Sequence, residues 1–221
     1  MEAISHAGMA IGITSKDGIV LAAEKKTTSK LLENVSREKI YKLNETICCA
    51  VAGLTSDANT LINYTRVEAQ RYLFRYDEPI PVEILVQDLC NLKQGYTQYG
   101  GMRPYGVSFL FAGWDEVHGF QLYQSDPSGN YSGWKAQCIG SNSSNGNQML
   151  KTDYKEDCTL DEAKSLAVKV LAKTMDGTSL TNEKLEFATI SMEDGKVVFK
   201  PYNDHQIDAL LKKEGVRSAD S

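Results

Sequence analysis

The chain has 221 residues, of which 42% are hydrophobic and 24% charged, and its formal net charge is −5. That balance suits a globular protein of one large domain or two small ones, and it gives no bulk attraction to nucleic acid or anionic membrane. No uninterrupted apolar run reaches transmembrane length, and the opening Met-Glu-Ala-Ile-Ser-His-Ala-Gly lacks the basic-then-apolar order of a secretory signal.

Residues 9–15 read as a short strand, Lys16-Asp17-Gly18 as a hairpin turn in which Gly18 supplies a positive φ, and residues 19–23 as the return strand. The near-continuous apolar run of the return strand predicts cover on both faces. Glu24-Lys25-Lys26 reads as its solvated end. Residues 30–44 are mixed and polar, a loop or short strands. Residues 47–54, Ile-Cys-Cys-Ala-Val-Ala-Gly-Leu, form another apolar strand. Cys48 and Cys49 point to opposite faces of it and are expected as buried thiols. Gly53 ends the strand and lets the backbone approach something closely.

Thr55 or Ser56 caps a helix running to about Tyr76. Ala58, Leu61, Ile62, Thr65, Ala69, Tyr72, Leu73 and Tyr76 mark its core face at helical spacing. Pro79-Ile80-Pro81 is a stiff link, and Pro81 serves as the first residue of the next helix. Val82, Leu85, Val86, Leu89, Leu92, Tyr96 and Tyr99 form that helix's face. A link this short predicts an antiparallel helix pair.

Residues 94–108, Gln-Gly-Tyr-Thr-Gln-Tyr-Gly-Gly-Met-Arg-Pro-Tyr-Gly-Val-Ser, turn that helix into a strand. Gly100-Gly101 ends the helix, because glycine reaches left-handed dihedrals freely. Pro104 forbids helix and pushes Arg103 toward extended geometry. The corner is either pure architecture or a presentation of Arg103 and the tyrosines to a partner.

Residues 105–112, 119–125 and 131–139 read as three strands of an antiparallel meander, with Asp126-Pro127-Ser128-Gly129 as a turn. Helical segments follow at residues 145–154 and 160–175, the second opened by Thr159 and Glu162 at capping-box spacing. Residues 186–192 and 196–199 form a hairpin about Glu193-Asp194-Gly195. Residues 205–213 form a short helix, and residues 214–221 read as a flexible tail of one domain spanning 1–221. The cysteines Cys48, Cys49, Cys90, Cys138 and Cys158 are odd in number and form no Cys-x-x-Cys pair, which points to a reduced compartment, cytoplasmic or nuclear. His6, His118 and His205 are scattered, so neither a metal nor a cofactor is expected.

Antiparallel strands with helices in blocks argue α+β. Strands apolar on both faces call for two packed sheets with a helix layer outside each, a four-layer αββα sandwich. With that order, several stretches together resemble the α subunits of the proteasome core particle. They are Glu38-Lys39-Ile40, Ala52-Gly53-Leu54-Thr55-Ser56-Asp57-Ala58, the run from Tyr96 to Ser108, and Asp126-Pro127-Ser128-Gly129 with Trp134-Lys135-Ala136. The resemblance covers almost the whole chain. A finer likeness, carried by Glu78-Pro79-Ile80-Pro81 and by residues 119–126, is to the class at the third position of the eukaryotic α ring.

The resemblance implies the fold of N-terminal-nucleophile hydrolases, a seven-membered α ring and a proteolytic β ring stacked on it. It implies no nucleic-acid or membrane partner. The nucleophile of such hydrolases is an N-terminal Thr, Ser or Cys whose free amine is the base. In this chain that position falls close to Gly8, so a non-catalytic structural and gating subunit is expected. The competing expectation is an active N-terminal-nucleophile peptidase or amidohydrolase that exposes Thr14, Thr27 or Thr28 by cleavage. A third is an orphan of the fold with an unrelated partner. By resemblance, Lys39 and Gly53-Leu54 receive the C-terminal tails of regulatory activators, and Tyr99, Gly101, Arg103 and Pro104 lie at a ring interface. The family also has a longer start, a tail and most of a helix that ends here near Glu2-Ala3-Ile4. Particles carrying this shorter form are expected to have a leaky pore.

Overall fold

The structure, a computed structural model, describes residues 2–26, 39–175 and 180–215. Glu38, Thr27, Thr28 and the tail from residue 216 lie outside the described residues. After a first short turn of helix, α1 (Glu2–Ser5), the hairpin forms as expected from β1 (Ala10–Ser15) and β2 (Gly18–Glu24), with Ser15 opposite Gly18. Gly18 has the expected positive φ, 158°, and a Cβ there would overlap the Ile190 carbonyl oxygen. The turn is closed by the Ser15 hydroxyl, which donates to the Gly18 carbonyl at 2.9 Å. The charged end of β2 is more engaged than a solvated terminus. Glu24 accepts from the Met9 amide at 3.2 Å, and Lys26 donates to the His6 carbonyl at 2.6 Å.

Then come β3 (Ile40–Lys42), β4 (Ile47–Gly53), α2 (Thr55–Tyr76), α3 (Val82–Gln98), β5 (Val107–Asp115) and β6 (Gly119–Ser125). The third strand expected for the meander is two strands, β7 (Tyr131–Trp134) and β8 (Ala136–Ile139). At Lys135 the chain leaves one sheet for the other, and its carbonyl accepts from the Thr14 amide at 2.8 Å. The rest is α4 (Ser143–Asp153), α5 (Leu160–Thr174), a 3-10 turn at Asn182–Lys184, β9 (Leu185–Glu193), β10 (Lys196–Pro201) and α6 (Asp204–Lys213). Thr159 and Glu162 do form the capping box of α5, each satisfying the other's amide.

The sheets run β10-β9-β2-β1-β8 and β3-β4-β5-β6-β7, every pairing antiparallel. This is the expected αββα sandwich. Strand alternation sorts side chains by layer. Ala10, Leu21, Ala23, Cys48, Ala50, Ala52, Leu110 and Ala112 fill the space between the sheets. Ile11, Ile13, Val20 and Ala22 face outward under α5. Cys49, Val51, Phe109 and Phe111 face outward under α2 and α3. The two vicinal cysteines therefore enter different cores, as expected, and burial pushes the Cys49 thiol up to about 12.

Four helix expectations change. The N-cap of α2 is Leu54, which makes no side-chain cap bond, rather than Thr55 or Ser56. Pro81 is the N-cap of α3, one residue before the helix. On α2 the buried face ends at Ala69, and Leu73 and Tyr76 are exposed. On α3 the buried stripe contains a residue that the apolar pattern omits, Lys93, which is completely buried. Its ammonium donates to the Val107 carbonyl and the Ser125 hydroxyl, both at 3.1 Å, and lies 5.3 Å from the centre of the Phe109 ring.

Burial is the main reason that the Lys93 pKa is pushed down to about 8, against the opposite pull of Cys90 and Asp126. An unfolded lysine titrates near 10.4. Between about pH 8 and that value the folded chain has lost a proton that the unfolded chain keeps, so this group adds stability as pH rises. The stability of the wild type relative to Lys93→Met is therefore expected to climb across that window in urea titrations. A difference independent of pH contradicts it.

Candidate functional site

The residues singled out in the sequence gather at one end of the sandwich, around the end of β4. Lys39 precedes β3, and its carbonyl accepts from the Val51 amide at 2.9 Å. Gly53 and Leu54 follow Val51 on the adjoining strand and open α2. Gly53 has φ 138°, and a Cβ there would overlap the Gly106 carbonyl oxygen. The close approach expected at this glycine is thus to the chain's own β5. The same Gly106 carbonyl accepts from the Leu54 amide at 2.9 Å.

The corner after α3 closes onto this point. The last helical residue is Gln98, and Tyr99 caps α3 by donating its amide to the Gly95 carbonyl at 3.0 Å. The helix ends before the glycines, and Gly101 takes the left-handed conformation at φ 81° within the following turn. Arg103 then reaches back to the first turn of α2. Its Nη1 donates to Oδ2 of Asp57 at 2.7 Å and its Nη2 to Oδ1 at 2.9 Å. Nη1 also meets the Pro104 carbonyl at 3.1 Å, and the Gly106 amide donates to Asp57 Oδ2 at 2.9 Å. Tyr105 packs on Tyr96 with ring centres 4.5 Å apart. The Arg103 side chain remains 66% exposed while that of Asp57 is 8% exposed. The arginine is fixed inside its own chain and still offers one face outward.

Asp57 was part of a quoted motif but carried no assigned role in the sequence. It sits in the first turn of α2, where a negative charge complements the helix dipole. The Arg103 bonds are the largest cause holding its carboxyl below the usual range, with the Gly106 amide assisting against burial. A group with a lowered folded pKa contributes stability that is present above the unfolded value, near 3.9, and is lost as pH falls through the folded value. Asp57→Asn is expected to cost ~1–2 kcal/mol at pH 7, discounted for the exposed arginine. That cost should shrink below about pH 4. A neutral substitution at pH 7 in chemical denaturation contradicts this role.

Across the gap between the sheets lies Gly8, where the resemblance places the nucleophile of a hydrolase. A Cβ added to Gly8 would overlap the Glu24 carbonyl oxygen, so the site has no room for a side chain without a backbone shift. Lys39 Nζ donates to the Gly8 carbonyl at 3.2 Å. A Cβ added to Gly140, just past β8, would overlap the same carbonyl oxygen. A cation and the Glu24 carboxylate flank position 8, yet what stands there is an internal peptide with neither nucleophile nor free amine. Thr14 lies inside β1 opposite Ile19, and exposing it as a terminus would remove most of that strand's pairing. A second residue that the sequence reading missed, Glu186 of β9, ties the sheets together here. It is buried, and its carboxylate accepts from the Lys39 amide at 3.2 Å and the Ile40 amide at 2.9 Å. A carboxylate between Leu185 and Phe187 in a strand buried from Leu185 to Ser191 was the signal. Among the described residues no group of His, Cys, Asp and Glu side chains could hold a metal.

A family model described as proteasome subunit matches residues 4–190. Proteasome subunit alpha type-4 of Petunia hybrida is 60% identical over 217 residues, covering 98% of this chain and 87% of the relative. Proteasome subunit alpha type-4-A of Arabidopsis thaliana is 61% identical over 218 residues, and proteasome subunit alpha type-4 of Spinacia oleracea is 59% identical over 218, with the same coverage. With its sandwich, its glycine at the nucleophile position and matches of this extent, the chain belongs to the proteasome subunit family.

Proposed function

We propose that the chain is a non-catalytic structural subunit of the proteasome core particle, seated in a seven-membered α ring above a proteolytic β ring. The observation that carries this reading is Gly8, where an internal peptide occupies the nucleophile's place and no side chain fits. Its work is to build the ring and help gate entry to the chamber, in support of ubiquitin- and ATP-dependent degradation in the cytoplasm and nucleus. The third position in the ring is the one to which the finer likeness points.

A ring needs two different contact surfaces per subunit. Permanent contacts of this kind bury on the order of 2,000 Å² or more. The corner bearing Tyr99, Gly101, Arg103 and Pro104 suits one of them. It is rigidly held by Asp57, while Tyr99 is 72% exposed and Met102 stands beside it in the open. Lys39, Gly53 and Leu54 suit the docking of an activator's C-terminal tail, because they lie together at one end of the sheet. Leu54 is exposed beside them, and a lysine is a compact partner for a terminal carboxylate.

Two measurements test the reading. Particles purified through a tag on this chain should react with an electrophile aimed at N-terminal threonine, with the label on other subunits and none on this one. Label on this chain contradicts non-catalysis. In the same particles Lys39→Ala should weaken binding of an activator's C-terminal peptide about tenfold, the scale of one charge-assisted contact. Unchanged affinity with intact assembly removes the docking role and leaves the structural one.

A further inference from the structure

The end of the second sheet farthest from the Arg103 corner holds a mostly apolar groove that the described fold leaves open. Thr46, just before β4, borders it, while Gly53 at the other end of β4 meets the corner, about 20 Å away along the strand. Pro79, Ile80 and Pro81 of the link between α2 and α3 form one wall, and Trp114 and Val117 form the other. They enclose about 320 Å³. That volume is at the low end for ligand pockets and suits one or two side chains rather than a whole cofactor. The walls are firm. Two prolines fix φ in the link, and the Trp114 amide donates to the Thr46 carbonyl at 3.0 Å. Val117 is 76% exposed at the mouth.

The rim is acidic, and no lysine or arginine lines the groove. Asp115 is already committed. Its carboxylate accepts from the amides of Val82, Val117 and His118 and from the Gln121 side chain, at 2.7 to 3.1 Å. Burial pushes its carboxyl up, and these donors outweigh that and keep it below the usual range. Glu78 and Glu116 are exposed and make no hydrogen bond or ion pair among the described residues. The negative end of the α2 dipole, at Tyr76, stands just before Glu78. His118, on the same turn as Glu116, lies 3.9 Å from Asp115 and does not line the groove.

We infer that this groove docks a basic, extended segment of a protein outside the core particle. One arginine or lysine of that segment lies against Trp114 between Glu78 and Glu116, and its apolar neighbours cover Val117 and Pro79. Charge complementarity selects this occupant. Tryptophan is the best aromatic partner for a cation, and carboxylates without partners on both sides favour positive charge and steer its encounter. An acidic or phosphorylated segment would meet like charge here. A neighbouring ring subunit is the poorer occupant, because the ring contact proposed above uses the opposite end of the sheet. The inference goes beyond the subunit reading, which assigns nothing to this end.

The test uses particles purified through a tag on this chain and short peptides that carry benzophenone. One peptide has arginines among prolines and leucines, a second has glutamates in place of the arginines, and a third keeps the arginines among glycines. The first should label residues 78–81 or 114–117 of this chain, the second should not, and the third should bind several-fold more weakly. Glu78→Gln with Glu116→Gln should lower affinity for the first peptide about tenfold, the effect of two partly exposed charge contacts. Both carboxylates are exposed, so this double variant should enter particles like the wild type. Trp114→Leu keeps the wall apolar and should lower affinity about threefold, the loss of the indole's attraction for a cation. No adduct on this chain, equal labelling by the glutamate or the glycine peptide, or unchanged affinity in either variant overturns the inference while the subunit reading stands. Label on the free chain with none in particles also overturns it, because a neighbouring subunit then covers the groove. Failure of the chain to enter particles contradicts the subunit reading alone, and labelling of the free chain then decides this inference.

Discussion

Three segments that are distant in sequence meet on one carboxylate. Asp57 starts α2, Arg103 belongs to the corner after α3, and Gly106 leads into β5. A surface ion pair contributes ~0–1 kcal/mol, and by that measure an exposed arginine would decide little. Here the acceptor is the buried partner. It has lost most of its water and takes both guanidinium bonds and a backbone amide at the positive end of a helix. The desolvation of Asp57 is offset only while all these donors are present. Their geometry in turn sets where β4 ends, because the Gly106 carbonyl is braced against Gly53 and Leu54. The corner is thus architecture first, and Tyr99, Met102 and one side of Arg103 are its exposed outward faces.

The two sheets show the same economy between packing and polarity. Alanines between them allow close approach, and larger side chains fill the outer layers under the helices. Besides Asp57, two buried charged residues among those described cross this apolar plan. Glu186 fastens the start of β3 to β9, and Lys93 pins α3 to β5 and β6. Each has its bonds made, so each specifies one register between elements that apolar contacts alone would leave free to slide. Between the sheets, at the end where a hydrolase of this fold holds its nucleophile, a continuous backbone runs through Gly8 against Glu24. The fold is kept and the chemistry is gone from that position.

Much of this was legible in the sequence. Period-two runs such as residues 107–112 and the helical stripe 58–69 report burial directly, and Thr159 with Glu162 reports its own cap. The misreadings share a cause: they occur where a distant partner overrides a local rule. The Gly106 carbonyl takes the Leu54 amide, and α2 begins from Leu54 without the side-chain cap that Thr55 or Ser56 promised. The strand expected over residues 131–139 splits at Lys135 because its second half pairs with the distant β1, Ala10 standing opposite Ile139. Lys93 escaped because a charge is normally taken as solvated, although Leu89, Cys90 and Lys93 follow helical spacing. Leu73 and Tyr76 were assigned to the core on period alone, and the sheet ends before it reaches them.

The central claim is that this chain exists to be one place in a heteromeric ring. Native mass spectrometry of the tagged chain, expressed with the other core-particle subunits, measures that directly. The account predicts a single copy of this 24.5 kDa chain in each α ring of a large assembly that contains other proteasome subunits. A monomer, or an assembly built from this chain alone, would contradict it.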